Sequence, residues 1–228
     1  MSVRTSAKRP FPASTAFRAK LILTALEVLL IYSGILLYIW RWQSSHPHAW
    51  MLLWAAVLAS HAAHRDTLKS LGLTWVELRA SAEIVLPLSL AIYVPLLAYG
   101  FARHMLVFTP PAKNALFPFI NYGVWCAVQQ YLTQSYFHRR LMSLVPSPHL
   151  SSVLVALMFG SAHLPNTILV IATGLGGFLM AEVFARHPNI WPLALAQAVG
   201  GFLIAALAPA SLIHNMRVGP GYYFFRVR

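Results

Sequence analysis

The chain has 228 residues, of which 58% are hydrophobic and only 10% charged, and its mean hydropathy is +0.64. A soluble domain carries roughly 25% charged residues, so this composition excludes an ordinary water-facing surface and names lipid as the main solvent. The 17 Lys and Arg against five Asp and Glu give a net charge of +12. These cations lie between long apolar runs, which suits anionic lipid headgroups as partners and speaks against nucleic acid.

In chain order, residues 1–19 form a basic tail containing Arg4, Lys8, Arg9 and Arg18. The apolar run that follows is long enough to span a bilayer and has no A-x-A cleavage site, so it reads as a retained signal anchor. Apolar segments are expected at 20–40, 49–63, 83–103, 115–137, 149–164, 166–186 and 189–208. They do not alternate as barrel strands do, so the fold class is all-α integral membrane, a multi-pass helical bundle of about seven to eight transmembrane helices. The bundle occupies 20–208 and a C-terminal tail 209–228. The segments at 49–63 and 149–164 are short for a core about 30 Å thick, and tilted or re-entrant paths would accommodate them.

Counting Lys and Arg sets the orientation. With the N-terminus cytoplasmic, the inner segments hold the basic tail, Arg65, Lys69, Arg79, Arg139, Arg140 and Arg186, and the outer loops hold Arg41, Arg103 and Lys113. Arg217, Arg226 and Arg228 in the tail argue the other way, and an eighth crossing or a re-entrant segment would reconcile them. Small residues recur at four-residue spacing at Thr173, Gly177 and Ala181, then at Ala194 and Ala198, and then at Gly201 and Ala205. That spacing allows close backbone approach and predicts central packing of the last two helices.

Polar side chains inside apolar helices usually face the bundle interior, which makes them the candidates for function. Tyr122, Cys126, Gln130 and Gln134 recur every four residues, with Gln129 and Thr133 beside them, so all fall on one broad helix face. The same pattern fits an interhelical hydrogen-bond seam. His163 follows Phe159 near a helix end, where a neutral imidazole both donates and accepts; a histidine satisfied by backbone fits equally. Gln197 stands alone in an apolar helix, Glu182 has Arg186 one turn away as an ion-pair partner, and Glu27 is given no role. No H-E-x-x-H motif or Cys/His cluster is present, so neither a metal nor another cofactor is expected. Cys126, the single cysteine, forms no intramolecular disulfide; paired with His163 it would make a nucleophile and base, although a buried, inert thiol is the commoner fate.

The order of these motifs, Lys69-Ser-Leu-Gly-Leu-Thr, then the Gln129-Gln130 pair, then Phe159-x-x-x-His163, then Gln197-x-x-x-Gly201, resembles the CPBP (Abi, or CAAX-protease-like) family of intramembrane proteases. The resemblance covers about 66–208. It implies a site in which glutamate and histidine activate water against a peptide carbonyl, with other polar residues holding the oxyanion. Phe159 and His163 match the family's F-x-x-x-H. Gln129 and Gln130 stand where E-E-x-x-x-R has its glutamates, Gln134 where it has arginine, Gln197 where the third motif has histidine, and Gly201 where it has Asn or a similar residue.

The resemblance therefore implies a polar cavity lined by Gln129, Gln130, Gln134, His163 and Gln197, with Cys126, Phe159 and Gly201 in support. Glutamine has nearly the shape of glutamate but accepts no proton at physiological pH, and loss of a positioned general base typically costs about 10²–10⁴ in rate. The expectation is a family role in intramembrane proteolysis of membrane-embedded or lipidated peptides, with glutamate-type activity weak or lost. The alternative is a non-catalytic immunity-type or scaffold protein that uses the same cavity; a small transporter is disfavoured by the lack of paired intramembrane charges. The location implied is an integral, bacterial inner (plasma) membrane one.

Overall fold

Three helix starts are written into the sequence by side chains that accept a hydrogen bond from an otherwise orphaned backbone N–H. Ser147 accepts from Leu150 N at 3.4 Å, with Pro148 in the first turn. Asn166 accepts from Leu169 N at 3.3 Å and Asn189 from Trp191 N at 3.1 Å. Both asparagines are fully buried, and each also donates to a distant carbonyl: Asn166 to Ile213 O at 2.7 Å, Asn189 to Thr74 O at 2.8 Å. A cap of this kind fixes a loop as well as a helix.

The computed structural model describes residues 15–105 and 116–224, apart from the side chains of 116–119 and 210. Helix α1 is Thr15–Ser45, with a π-helical turn at Tyr38–Trp42, and α2 is Trp50–His64. Helix α3 is Leu78–Ala102, with Pro87 and Pro95 inside it. Helix α4 runs over 116–144 as Leu116–Gln130, a π-helical stretch Tyr131–His138, and Arg139–Leu144. Helices α5, α6 and α7 are Pro148–Ser161, Thr167–Arg186 and Ile190–Leu207. Among the described residues, short turns of helix follow at Ala210–Ile213, His214–Met216 and Pro220–Tyr223.

Among the described residues there is no strand, and four helices are long and apolar enough to cross a membrane: α1, α3, α6 and α7. Their lipid-facing sides carry Leu30 at 71% exposed, Leu175 at 66% and Leu90 at 60%, a surface that water would not tolerate. The expected segments 49–63 and 149–164 become α2 and α5, of 15 and 14 residues. At 1.5 Å per residue each is only about 21–22 Å long, short of a bilayer core. No eighth long helix lies among the described residues; after α7 the chain folds back so that Gly219 N donates to Leu164 O at 2.8 Å. That return brings the Arg217 carbonyl to 3.2 Å from Asn166 Nδ2, just before α6.

Two hydrophobic cores hold the helices. Val28, Ile31, Val57, Tyr136, Phe137, Leu141, Val155 and Ala181 join α1, α2, α4, α5 and α6. Val85, Val183, Phe184, Ile190, Leu193 and Ala196 join α3, α6 and α7. Gly177 of α6 lies against Phe159 of α5, and α7 packs on α3 and α4. Gly200 and Gly201 leave room for two tyrosine hydroxyls: a Cβ at Gly200 would meet Tyr93 Oη at 2.8 Å, and one at Gly201 would collide with Tyr122 Oη and its ring.

Glu27 is the residue whose role the sequence hid. It accepts hydrogen bonds from Tyr136 Oη at 2.8 Å, His64 Nε2 at 3.1 Å, Arg140 Nε at 3.3 Å and from the Ser60 hydroxyl. Asp66, in the loop between α2 and α3, takes Arg140 Nη2 at 2.7 Å, Arg139 Nη2 at 2.8 Å and His61 Nδ1 at 2.8 Å. Two carboxylates and two guanidiniums thus balance in a pocket where the Asp66 and Arg140 side chains are each only 4% exposed. The cluster ties α1, α2 and the end of α4 together. Burial alone would raise the Asp66 carboxyl, yet hydrogen bonds from Arg140, His61 and Arg139 outweigh it and hold the group well below its ordinary 3.8.

Three outcomes follow from this packing. Arg140→Met, which strands Glu27 and Asp66 without their shared cation, is expected to lower unfolding free energy by about 3–5 kcal/mol, read from chemical denaturation in detergent micelles. Because the folded-state pKa of Asp66 lies below the unfolded one, its contribution is complete at neutral pH and is lost as the pH falls below the ordinary carboxylate range. Melting temperature measured from pH 7 downward is expected to stay level until that range and then drop, with Asp66→Asn flattening the drop. Gly201→Ala is expected to cost about 1–3 kcal/mol through displacement of Tyr122, and Gly201→Ala combined with Tyr122→Phe to recover part of it.

Candidate functional site

The π-helical stretch of α4 divides the polar face expected of it. Gln129 and Thr133 look into a cavity that they share with Trp125 and Phe137. Cys126, Gln130, Gln134 and His138 lie on the other side and are fully buried. One line of polar residues meets a cavity and the other meets neighbouring helices.

The amides of Gln129, Gln130 and Gln197 meet across α4 and α7. Gln130 Nε2 donates to Gln197 Oε1 at 2.6 Å, and Gln197 Nε2 donates to Gln129 Oε1 at 2.5 Å. Gln130 Nε2 also lies 3.1 Å from Met180 Sδ of α6. An amide is the group for such a chain because each one both donates and accepts. Two carboxylates at 129 and 130 would repel and would need a proton or a cation between them. The seam is neutral, and it joins two helices that also pack through Gly201 and Tyr122.

His163 sits in the loop between α5 and α6. Its Nδ1 lies 2.8 Å from the Phe159 carbonyl and 3.3 Å from Thr173 Oγ1, whose own hydroxyl donates to Leu169 O at 2.7 Å. Both neighbours therefore ask Nδ1 to donate, which puts the proton there and leaves the Nε2 lone pair available. The Phe159 ring meets the imidazole edge-on, 5.0 Å between centroids. The F-x-x-x-H spacing thus does two things at once: the carbonyl sets the tautomer and the ring sets the plane.

His163 and Gln129 line the same cavity, of about 560 Å³. Its walls come from α1, α2, α4 and α5, and they are mostly apolar, with Trp50, Trp54 and Trp125 among them. Val218, from the returning C-terminal segment, closes the side next to His163. A volume of this size lies within the range of ligand sites, roughly 300–1,000 Å³. Gln129 offers an amide and His163 a lone pair to whatever enters.

The other expected residues do not join them there. Phe159 lines the cavity, but Gln130 and Gln197 stand behind Gln129 and do not reach it. Gln134 is buried on the far side of α4, and Gly201 accommodates Tyr122. Cys126 has no exposed surface and is absent from the cavity wall that holds His163, so the two do not form a nucleophile–base pair. The reason is rotation: residues 129 and 130 are about 100° apart around a helix, so only one of an adjacent pair can face a given space. Glu182 bonds Arg186 at 3.1 Å, as its spacing implied, and His149 at 3.0 Å. Among the described residues no group of three or more His, Cys, Asp or Glu side chains is placed to hold a metal ion.

The Trp50 and Trp54 wall is not legible in the sequence, because tryptophans at membrane-helix ends read as interfacial anchors. No curated protein and no solved structure matches the chain. Residues 111–203, which hold every one of the eight expected site residues, match the family model of Rce1-like proteins, the type II CAAX prenyl endopeptidases, in agreement with the resemblance drawn from the motifs.

Proposed function

We propose that the chain is a CAAX-protease-like membrane protein whose cavity receives a membrane-embedded or lipidated peptide, and that it cleaves such a peptide weakly or not at all. The observation that carries this reading is the pairing of Gln129 with His163 in one apolar cavity, the amide of Gln129 being held by Gln197. The apolar walls suit a lipid chain, and the two polar groups suit a peptide end. A glutamine accepts no proton, so the general base of a glutamate-type hydrolysis is missing. His163 Nε2 is the remaining group able to take a proton from water. Gln129 is placed to donate to a carbonyl oxygen, as amide side chains do in oxyanion holes.

The second reading is a non-catalytic binding protein of immunity or scaffold type. What favours it is the bonding of Gln130 to Gln197 and of Gln197 to Gln129, which engages these amides in a neutral seam rather than a poised acid–base pair. In both readings we place the Arg139–Arg140 end at the cytoplasmic face, on the strength of the Lys and Arg distribution, and we take α2, α4 and α5 to complete a seven-helix bundle in the membrane.

Purified protein in liposomes, incubated with a farnesylated peptide ending in a CAAX sequence, separates the possibilities. Photo-crosslinking to the cavity wall with little cleavage is the expected result. Restoring the family residues together (Gln129→Glu, Gln130→Glu and Gln134→Arg) is expected to raise cleavage by about 10²–10⁴. Robust cleavage by the unaltered chain, lost in His163→Ala, overturns the inactive version. Crosslinking unaffected by His163→Ala supports the binding protein.

A further inference from the structure

On the side of α4 turned away from the cavity, Gln130, Gln134 and His138 follow one another at four-residue spacing and are all fully buried. Four of their polar atoms have no hydrogen-bond partner among the described residues: Gln130 Oε1, both Oε1 and Nε2 of Gln134, and His138 Nδ1. Buried polar groups in native proteins are nearly always satisfied, by protein or by ordered water. Leaving one unsatisfied costs about 1–3 kcal/mol, and four in a row would strain any bundle.

Their spacing indicates what satisfies them. Residues four apart rise by about 6 Å along the axis at the α-helical 1.5 Å per residue. A single water accepting from one group and donating to the next spans about 5.6 Å, two bonds of roughly 2.8 Å. The Gln134 amide makes no hydrogen bond to either neighbour in the row. The row also holds the mixture of donors and acceptors that a water needs, since buried waters typically make about three hydrogen bonds.

The row is continuous at both ends with groups whose bonds are made. At one end His138 Nε2 lies 3.2 Å from Ser151 Oγ and 3.4 Å from Ser152 Oγ, in the first turn of α5. His149, in the same turn, has a side chain 71% exposed. At the other end Gln130 Nε2 donates to Gln197, which donates to Gln129, which lines the cavity.

We propose that Gln130, Gln134 and His138 bind a short file of internal water, which runs from the basic end of the bundle to the back of the amide seam. The file brings water to within one amide chain of the cavity without opening the apolar walls. It stands on the buried, unpartnered groups and does not depend on whether the cavity cleaves a peptide.

Water-edited solid-state NMR on the full-length, isotope-labelled protein in lipid bilayers tests this. Water magnetisation is expected to reach the Gln134 side-chain amide and the His138 ring several-fold faster than it reaches Leu193, which is equally buried but apolar. Build-up no faster than at Leu193, or a direct amide-to-amide bond between Gln130 and Gln134, overturns the proposal. Gln134→Met, close in shape and without polar atoms, supplies the second readout. It is expected to slow the build-up at His138 and to lower the melting temperature, because it interrupts a satisfied file. A melting temperature raised by Gln134→Met would mean that the amide was unhydrated, and would also overturn it.

Discussion

A bilayer core supplies no bulk water, so each polar group introduced by the sequence must find its partner within the protein or in water that the protein encloses. That constraint shapes every part of this molecule. Glu27, halfway along an otherwise apolar helix, is tolerable only because Ser60, His64, Tyr136 and Arg140 converge on it. Once they do, α1, α2 and α4 are locked in register, and the loop carrying Asp66 is drawn in to balance the second arginine. Removing one member leaves a buried charge, which is why the cluster behaves as a unit.

The same constraint organises the amides. Gln129, Gln130 and Gln197 are neutral groups that each donate and accept, so they close a seam between α4 and α7 with no counter-ion. Carboxylates at these positions would demand a cation nearby. The amides instead make a neutral packing seam, while His163 keeps the tautomer set by Phe159 and Thr173.

Small residues make these polar meetings possible. Gly200 and Gly201 admit the hydroxyls of Tyr93 and Tyr122, and Gly177 admits the Phe159 ring that orients His163. Asn166 and Asn189 cap their helices and at the same time pin the C-terminal segment and the loop before α3. Close approach and capping thus position the cavity from outside it, and the returning chain contributes Val218 to its wall.

By itself the sequence determined the solvent, the helical class, and which polar residues lie near one another on α4, because hydropathy and helical periodicity are local properties. It also made the F-x-x-x-H unit legible, since that geometry closes within one turn. Only the tertiary structure decided that Gln129 faces the cavity while Gln130 faces α7, because a rotation of about 100° per residue separates neighbours and nothing in a single helix says which side has a partner. It alone revealed the Glu27–Arg140–Asp66 cluster, whose members are 39 to 113 residues apart in the chain in no recognisable pattern. Charges so distant pair only when the packing of three helices brings them together, and packing is not a local property.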